Sequence, residues 1–564
     1  MPIDQSSPVP RIDAALSPST SYNGNDHDTS FESLCELCRR VTWSNITEPI
    51  KFKWADSSLF PSIEDYPVRI RTFGKKSCSQ LLSSSCRICR LVGSLIIPKS
   101  ASKPLNEASK SYDQHQYLNL EISEVLCGKR SFKKPAPYIT LAIQFPIAGP
   151  KMMDNLSIYG RCIIAHKFRN NETAGIRTLE PLRVNFDFLR LMLNKCFEDH
   201  EQCRSMTVEV ARLRVIDVTT KRICQARPDC EYIALSYVWG DDSACKRTQE
   251  NFPPVVRDAF TVNEALGYRY LWVDRYCIDQ NPNSPHMQSM LNQMDLVYSN
   301  ARATIVAASG NSASDGLTGI SVPRYQAHAE IGETHLIEVS NVAVDIILSK
   351  WFTRAWTYQE WYFSRRRLVF ADGEVLFFCN EGMAKESVSS HEFCPFSYKE
   401  HELYSMKPPV RLKTDPFHHT ELESHISGYS KRNLSHDCDS LNAFAGILRY
   451  YELVSEDCEK PLSHLWGVPL KLLDYPENEW VLFNLIWYHE GIAHRRDVLP
   501  SWSWSGWGGS VTFGSSALRI QIMAANKPLD DSTYENEKVT SAGERVPRIQ
   551  ISLEDRTIDL YSFC

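Results

Sequence analysis

An α/β domain built on a parallel sheet with covered faces is the fold class that this sequence predicts for its centre, with α+β regions on both sides. Three observations carry that expectation. Short apolar, β-branched or aromatic runs recur at Ile233–Val238, Leu271–Val273 and Thr304–Ala308. Each ends in polar residues and a turn. The stretches between them have helical spacing, and strands that alternate with helices form parallel sheets. In such sheets the chemistry sits where the strands end, on the loops that lead into helices.

The chain has 564 residues, too many for one ordinary core. Its apolar fraction of 43% is that of a globular protein. A net charge of −6 gives no basic footprint for nucleic acid. No apolar run approaches the length of a membrane span, so no span is expected. Residues 1–30, rich in Pro, Ser, Asp and Asn, lack the apolar core of a secretory signal and read as a disordered leader. Eighteen cysteines without an export signal point to a reducing compartment, the cytoplasm with the nucleus as the alternative.

A cysteine-rich α+β region is expected over 31–215. Cys35-Glu-Leu-Cys38 and Cys86-Arg-Ile-Cys89 can each put two sulfurs on one turn, and two such pairs can close a structural thiolate zinc site. The alternative is small buried thiols on packing faces, because the second pair lies inside an apolar helical stripe. Runs at 117–122, 138–145 and 156–164 read as strands of a β-rich insert. The segment from Phe186 then reads as an amphipathic helix that places Cys196, His200 and Cys203 at i, i+4 and i+7. That spacing could present three metal ligands. An ordinary buried stripe with one hydrogen-bonded histidine is the simpler account.

The central domain is placed at 228–361. Val255–Leu266 reads as a helix, and so does Met287–Ala301, whose apolar positions recur at i, i+3, i+4 and i+7. A helix over 352–361 carries Arg354, Trp356, Gln359 and Glu360. Beyond it, 362–564 forms a C-terminal α+β region. It holds a hairpin around Asp372-Gly373, a capped helix start near Asp439, and the tryptophan-rich Pro500-Ser-Trp-Ser-Trp-Ser-Gly-Trp507. The tryptophans are expected to pack against a neighbouring domain rather than to form a stacking platform.

No P-loop, glycine-rich dinucleotide turn or HExxH is present. Polar residues do gather at the expected strand and helix ends. Glu360, Asp274 and Arg354 are the candidate catalytic residues; Ser236, Trp239, Gly240, Asp279, Gln280, Trp356 and Gln359 are candidates for lining a pocket. A carboxylate there could stabilise an oxocarbenium-like transition state. In the competing account the same groups form a structural network, with Arg354 paired to Asp274 or Glu360. A Cys277–His286 nucleophilic pair is a weaker alternative.

The segments LSYVWG at 235–240, YLWVDRYCIDQ at 270–280, MxxVYxxA at 294–301 and RAWTYQE at 354–360, in this order, resemble the fungal heterokaryon-incompatibility (HET) domain. The resemblance implies self/non-self recognition that ends in growth arrest or programmed cell death, with protein partners or self-association. HET domains are also distantly similar to TIR domains, which implies a TIR/flavodoxin-like sheet and NAD as a candidate substrate for glycohydrolase activity. The chain departs from the family pattern in one respect. Where HET domains often place an acid four residues before a glutamine, this chain has His286 and Met290. That favours a signalling effector, or an inactive scaffold, over an NAD-cleaving enzyme.

Overall fold

The computed structural model describes residues 34–43, 69–96, 118–122, 138–144, 162–167, 177–240, 252–388, 418–456, 462–470, 487–513 and 548–561, with Leu403 and Met406, save a few positions inside these ranges. The expected leader lies outside the described residues, as do residues 241–251 and 525–547.

Two sheets organise the chain. In the first, β1 (Arg69–Gly74), β2 (Leu118–Ile122), β3 (Tyr138–Gln144) and β4 (Cys162–Lys167) pair antiparallel in sequence order. The β-rich insert is therefore present, with its third strand several residues later than the 156–164 run suggested.

The second sheet holds β5 (Arg214–Asp217), β6 (Arg222–Gln225), β7 (Tyr232–Ser236), β8 (Tyr270–Val273) and β9 (Ala303–Ala307). The chain then returns to the first sheet with β10 (His328–Ile331) and β11 (Thr334–Val339), where β11 pairs with β4. It rejoins the second sheet with β12 (Arg366–Phe370), β13 (Val375–Cys379) and β14 (Met383–Lys385). The resulting order is β14-β13-β12-β9-β7-β8-β5-β6.

The middle of this sheet is parallel: β12 with β9, β9 with β7, and β7 with β8. Antiparallel hairpins close both sides. Every residue of β7, β9, β12 and β13 is buried, as in strands covered on both faces. The expected α/β architecture is present, but the sheet is mixed rather than parallel throughout.

The connectivity locates the functional edge. From β7 the chain steps to β8 on one side, then crosses back to β9 on the other. The carboxyl ends of β7 and β9 thus flank a topological switch point, where open α/β sheets bind ligands.

The helices follow from local chemistry. Pro254–Leu266 opens with proline at its first turn and ends at Gly267, whose φ of 84° is the left-handed cap. The stretch expected as one helix over 287–301 is two, Pro285–Leu291 and Met294–Asn300. Gln293 breaks it, donating to the Ser289 carbonyl at 2.9 Å and accepting from the Ala211 amide at 2.8 Å. The Trp356–Phe363 helix is buried on nearly all sides, because it is the crossover that feeds β12.

In the C-terminal region Trp504 is buried between Tyr429 and Phe444, with ring centroids 5.9 and 5.7 Å away, and its indole donates to the Gly467 carbonyl at 2.7 Å. This tryptophan packs within its own region rather than against a neighbouring domain.

Candidate functional site

Ser236 is the last residue of β7, and Asp274 follows the last residue of β8. Parallel strands bring both to the same edge of the sheet. Glu360 enters from the Trp356–Phe363 helix, and its carboxylate accepts the Ser236 hydroxyl. Ser236 in turn accepts the Trp351 indole N–H at 2.7 Å. The Tyr298 hydroxyl lies beside Glu360 without a well-formed hydrogen bond.

Asp274 is half-buried and accepts the Trp239 indole at 2.9 Å and the Arg275 amide at 2.6 Å. Arg354 is also half-buried and donates to the Tyr237 carbonyl at 2.6 Å. Among the described residues it makes no direct ion pair with either acid, although its charge acts on both. The structural pairing of Arg354 to Asp274 or Glu360 is therefore not formed.

Electrostatics follow from this layout. Burial raises the Glu360 carboxyl to about 7; the neighbouring Asp274 charge adds to the rise, and Arg354, Ser236 and Tyr298 oppose it. Burial likewise raises Asp274 to about 6, against Arg354, the Arg275 amide and Trp239. Two carboxyls that resist ionisation beside a cation and an indole form the kind of cluster that marks acid–base sites. Trp239, Asp274 and Arg354 retain partial exposure while Glu360 is only 4% exposed. The cluster thus has an accessible rim above a dry carboxyl.

The remaining candidates are distributed differently. Gly240 adopts a φ of 77°, and a Cβ there would meet the Ser312 side chain at 2.6 Å, so only glycine fits this turn. Gln280 donates to the Asp274 carbonyl at 3.2 Å and so braces the loop. Asp279 accepts from Ser284 at 2.9 Å and from the Asn281 amide, which makes it a turn device outside the cluster. Trp356 donates to Asp439 at 3.4 Å, and Gln359 lies against Gly446, so both serve the C-terminal helices.

Sequence reasoning missed Trp351 and Tyr237 and read Tyr298 as core alone. Trp351 had a signal, standing three residues before Arg354 in a helix-entry segment. Cys277 and His286 do not form a nucleophilic pair. The Cys277 thiol is buried, pushed up to about 12, and accepts the Val273 amide. His286 contacts the Arg214 guanidinium at 3.1 Å and the Arg212 carbonyl at 3.2 Å.

A second candidate centre lies in the N-terminal region. The sulfurs of Cys35, Cys38, Cys86 and Cys89 lie within 4.8 Å of one another. Cys89 is 3.8 Å from Cys35 and 4.0 Å from Cys38. Hydrogen bonds from Cys38 and Cys89 hold the Cys86 thiol far below its ordinary range. This donor set fits a tetrahedral zinc, in which sulfurs 2.3 Å from the metal stand about 3.8 Å apart.

No helix among the described residues is long and apolar enough to cross a membrane. Comparison with curated proteins and with solved structures yields no match. Residues 232–360 match the family model described as Heterokaryon incompatibility protein (HET). That segment begins at the first residue of β7 and ends at Glu360. It therefore contains both acids, the arginine and the parallel core strands β7 to β9, and the chain carries a heterokaryon-incompatibility domain over these residues.

Proposed function

We propose that this protein is an effector of self/non-self recognition in which the HET domain drives growth arrest or cell death, and that its chemistry is cleavage of the N-glycosidic bond of NAD at Glu360. The observation that carries the reading is the pair of proton-retaining carboxyls, Glu360 and Asp274, beside Arg354 and Trp239 at the carboxyl ends of β7 and β8. The β12-β9-β7-β8 core also supports a TIR/flavodoxin-like arrangement, on fold analogy alone.

In this mechanism the Arg354 cation holds the pyrophosphate and the Trp239 face receives a ring. The bond between the ribose anomeric carbon and the nicotinamide nitrogen breaks, and nicotinamide leaves with the electron pair. The ionised Glu360 carboxylate stabilises the ribosyl cation. Water adds to that carbon and its proton is released, giving ADP-ribose, nicotinamide and one proton. Association with a protein partner, in the cytoplasm, would control the domain. In the N-terminal region Cys35, Cys38, Cys86 and Cys89 would hold a structural zinc.

Purified full-length chain incubated with NAD should release nicotinamide, and Glu360→Gln should not. Absence of release from folded wild-type protein removes the enzyme reading. Induced expression in a fungal host should arrest growth in the wild type and spare Glu360→Gln.

One observation favours a second reading, an inactive scaffold. Trp351, Ser236 and Glu360 form a closed hydrogen-bond chain around an acid that is 4% exposed. Growth arrest by the wild type and by Glu360→Gln alike, without nicotinamide release, would select that reading.

A further inference from the structure

We propose that Cys196, His200, Cys203 and Cys379 form a structural zinc site of three thiolates and one imidazole that clamps the end of the Phe186–Asp199 helix to β13 of the central sheet. The four ligand atoms lie within 4.8 Å of one another. His200 turns Nδ1 toward Cys379, 3.2 Å from its sulfur. All three cysteines are buried.

These ligands do not share one helix face, contrary to the i, i+4, i+7 spacing. The helix ends at Asp199, His200 is extended with φ −98° and ψ 108°, and Cys203 closes a 3₁₀ turn. That turn folds the second and third ligands back over the end of the helix. The fourth ligand comes from the last position of β13, far along the chain.

The surroundings fit anionic sulfurs. Arg366 donates through Nε to the Cys196 sulfur at 3.2 Å and through Nη2 to the Cys203 carbonyl at 2.8 Å. The Asn380 amide donates toward the Cys203 sulfur. Donors of this kind orient and stabilise thiolates around a metal.

Arg366 and Arg367 are 4% and 1% exposed. Among the described residues neither pairs with a carboxylate. Arg367 donates only to neutral oxygens, chiefly the Trp361 carbonyl at 2.9 and 2.8 Å. Two buried cations beside neutral thiols would be uncompensated. Zinc held by three thiolates and an imidazole carries a net charge of about −1 and supplies the counter-charge. Four protein ligands close the coordination sphere, which makes the site structural rather than catalytic.

The test is the zinc content of the full-length chain by mass spectrometry, in wild type, Cys379→Ser and Cys38→Ser. Cys379→Ser should lose one zinc equivalent per chain. Any zinc at the four-cysteine cluster should be lost separately, in Cys38→Ser. Equal zinc in wild type and in folded Cys379→Ser overturns the proposal, as does a wild type from zinc-supplemented cells that holds none.

If Cys379→Ser does not fold, cobalt substitution carries the test instead. Cobalt(II)-loaded wild type and His200→Ala should differ in their visible d–d bands, because one nitrogen ligand is lost. Identical spectra overturn the site.

Discussion

Glu386 and Glu360 are both buried glutamates near a buried or half-buried arginine, yet they are set in opposite ways. Glu386 faces Arg324 with both oxygens, one at 2.8 Å from Nη2, and also accepts the Asn185 amide at 2.7 Å. Arg324 spends its other donors on the carbonyls of Glu180 and Arg183. Both side chains are at most 2% exposed, and together these bonds fasten the 180–185 segment to Arg324 and Glu386. Glu360 has a hydroxyl for a partner, an acid for a neighbour, and an arginine whose direct bond goes elsewhere. Bidentate pairing converts charge into rigidity, whereas a carboxyl denied its counter-ion keeps its proton and is poised to exchange it.

The largest way to break this contrast is Glu386→Ala. It strands a buried guanidinium and should cost about 3–5 kcal/mol in denaturant unfolding. A loss below about 1 kcal/mol would show the pair to be dispensable.

Glu360→Gln should act in the opposite direction. The fold raises the Glu360 pKa, so it prefers the protonated form. The associated stability is full below the ordinary carboxylate range and is lost as pH rises toward about 7. Glutamine mimics the protonated acid at every pH. The variant should therefore match the wild type near pH 4 and exceed it by about 2–3 kcal/mol near pH 8. Equal stabilities across that range would place Glu360 in an ordinary polar setting. Nicotinamide release, by contrast, should rise in the wild type as pH passes through about 7, because the carboxylate is the stabilising form.

Ser236→Ala removes the donor to Glu360 and the acceptor of the Trp351 indole. It should cost about 1–3 kcal/mol and move the Glu360 transition to higher pH. Asp274→Asn is the smallest perturbation. It lifts the like-charge repulsion, so the same transition should move to lower pH in a stability-versus-pH titration. A shift in the other direction would mean that the two acids do not sense each other.

Much of this site is legible in the sequence, and the rest is hidden for identifiable reasons. Ser236 and Asp274 are found from strand ends, and Glu360 and Arg354 from a helix that follows. Asp279 is misassigned because an acid beyond a strand also suits a local turn, and its bonds to Asn281 and Ser284 go to that purpose. Gln359 is adjacent to Glu360 on the helix and so points in another direction, whereas Trp356, one turn earlier, gives its indole to Asp439. The C-terminal helices claim both side chains.

By itself the sequence determined the strand runs, the caps and breakers of the Pro254–Leu266 helix, the hairpin at Asp372-Gly373 and the CxxC pairs. All of these are set by neighbours a few residues apart. Tertiary structure alone decided the strand order that puts β9 on the far side of β7 from β8, the distance that keeps Arg354 off both acids, and the meeting of Cys379 with Cys196, His200 and Cys203. The physical reason is that spacing encodes only which side chains share a turn or a face. Long-range neighbours are chosen by how the buried faces pack, and no local pattern carries that choice.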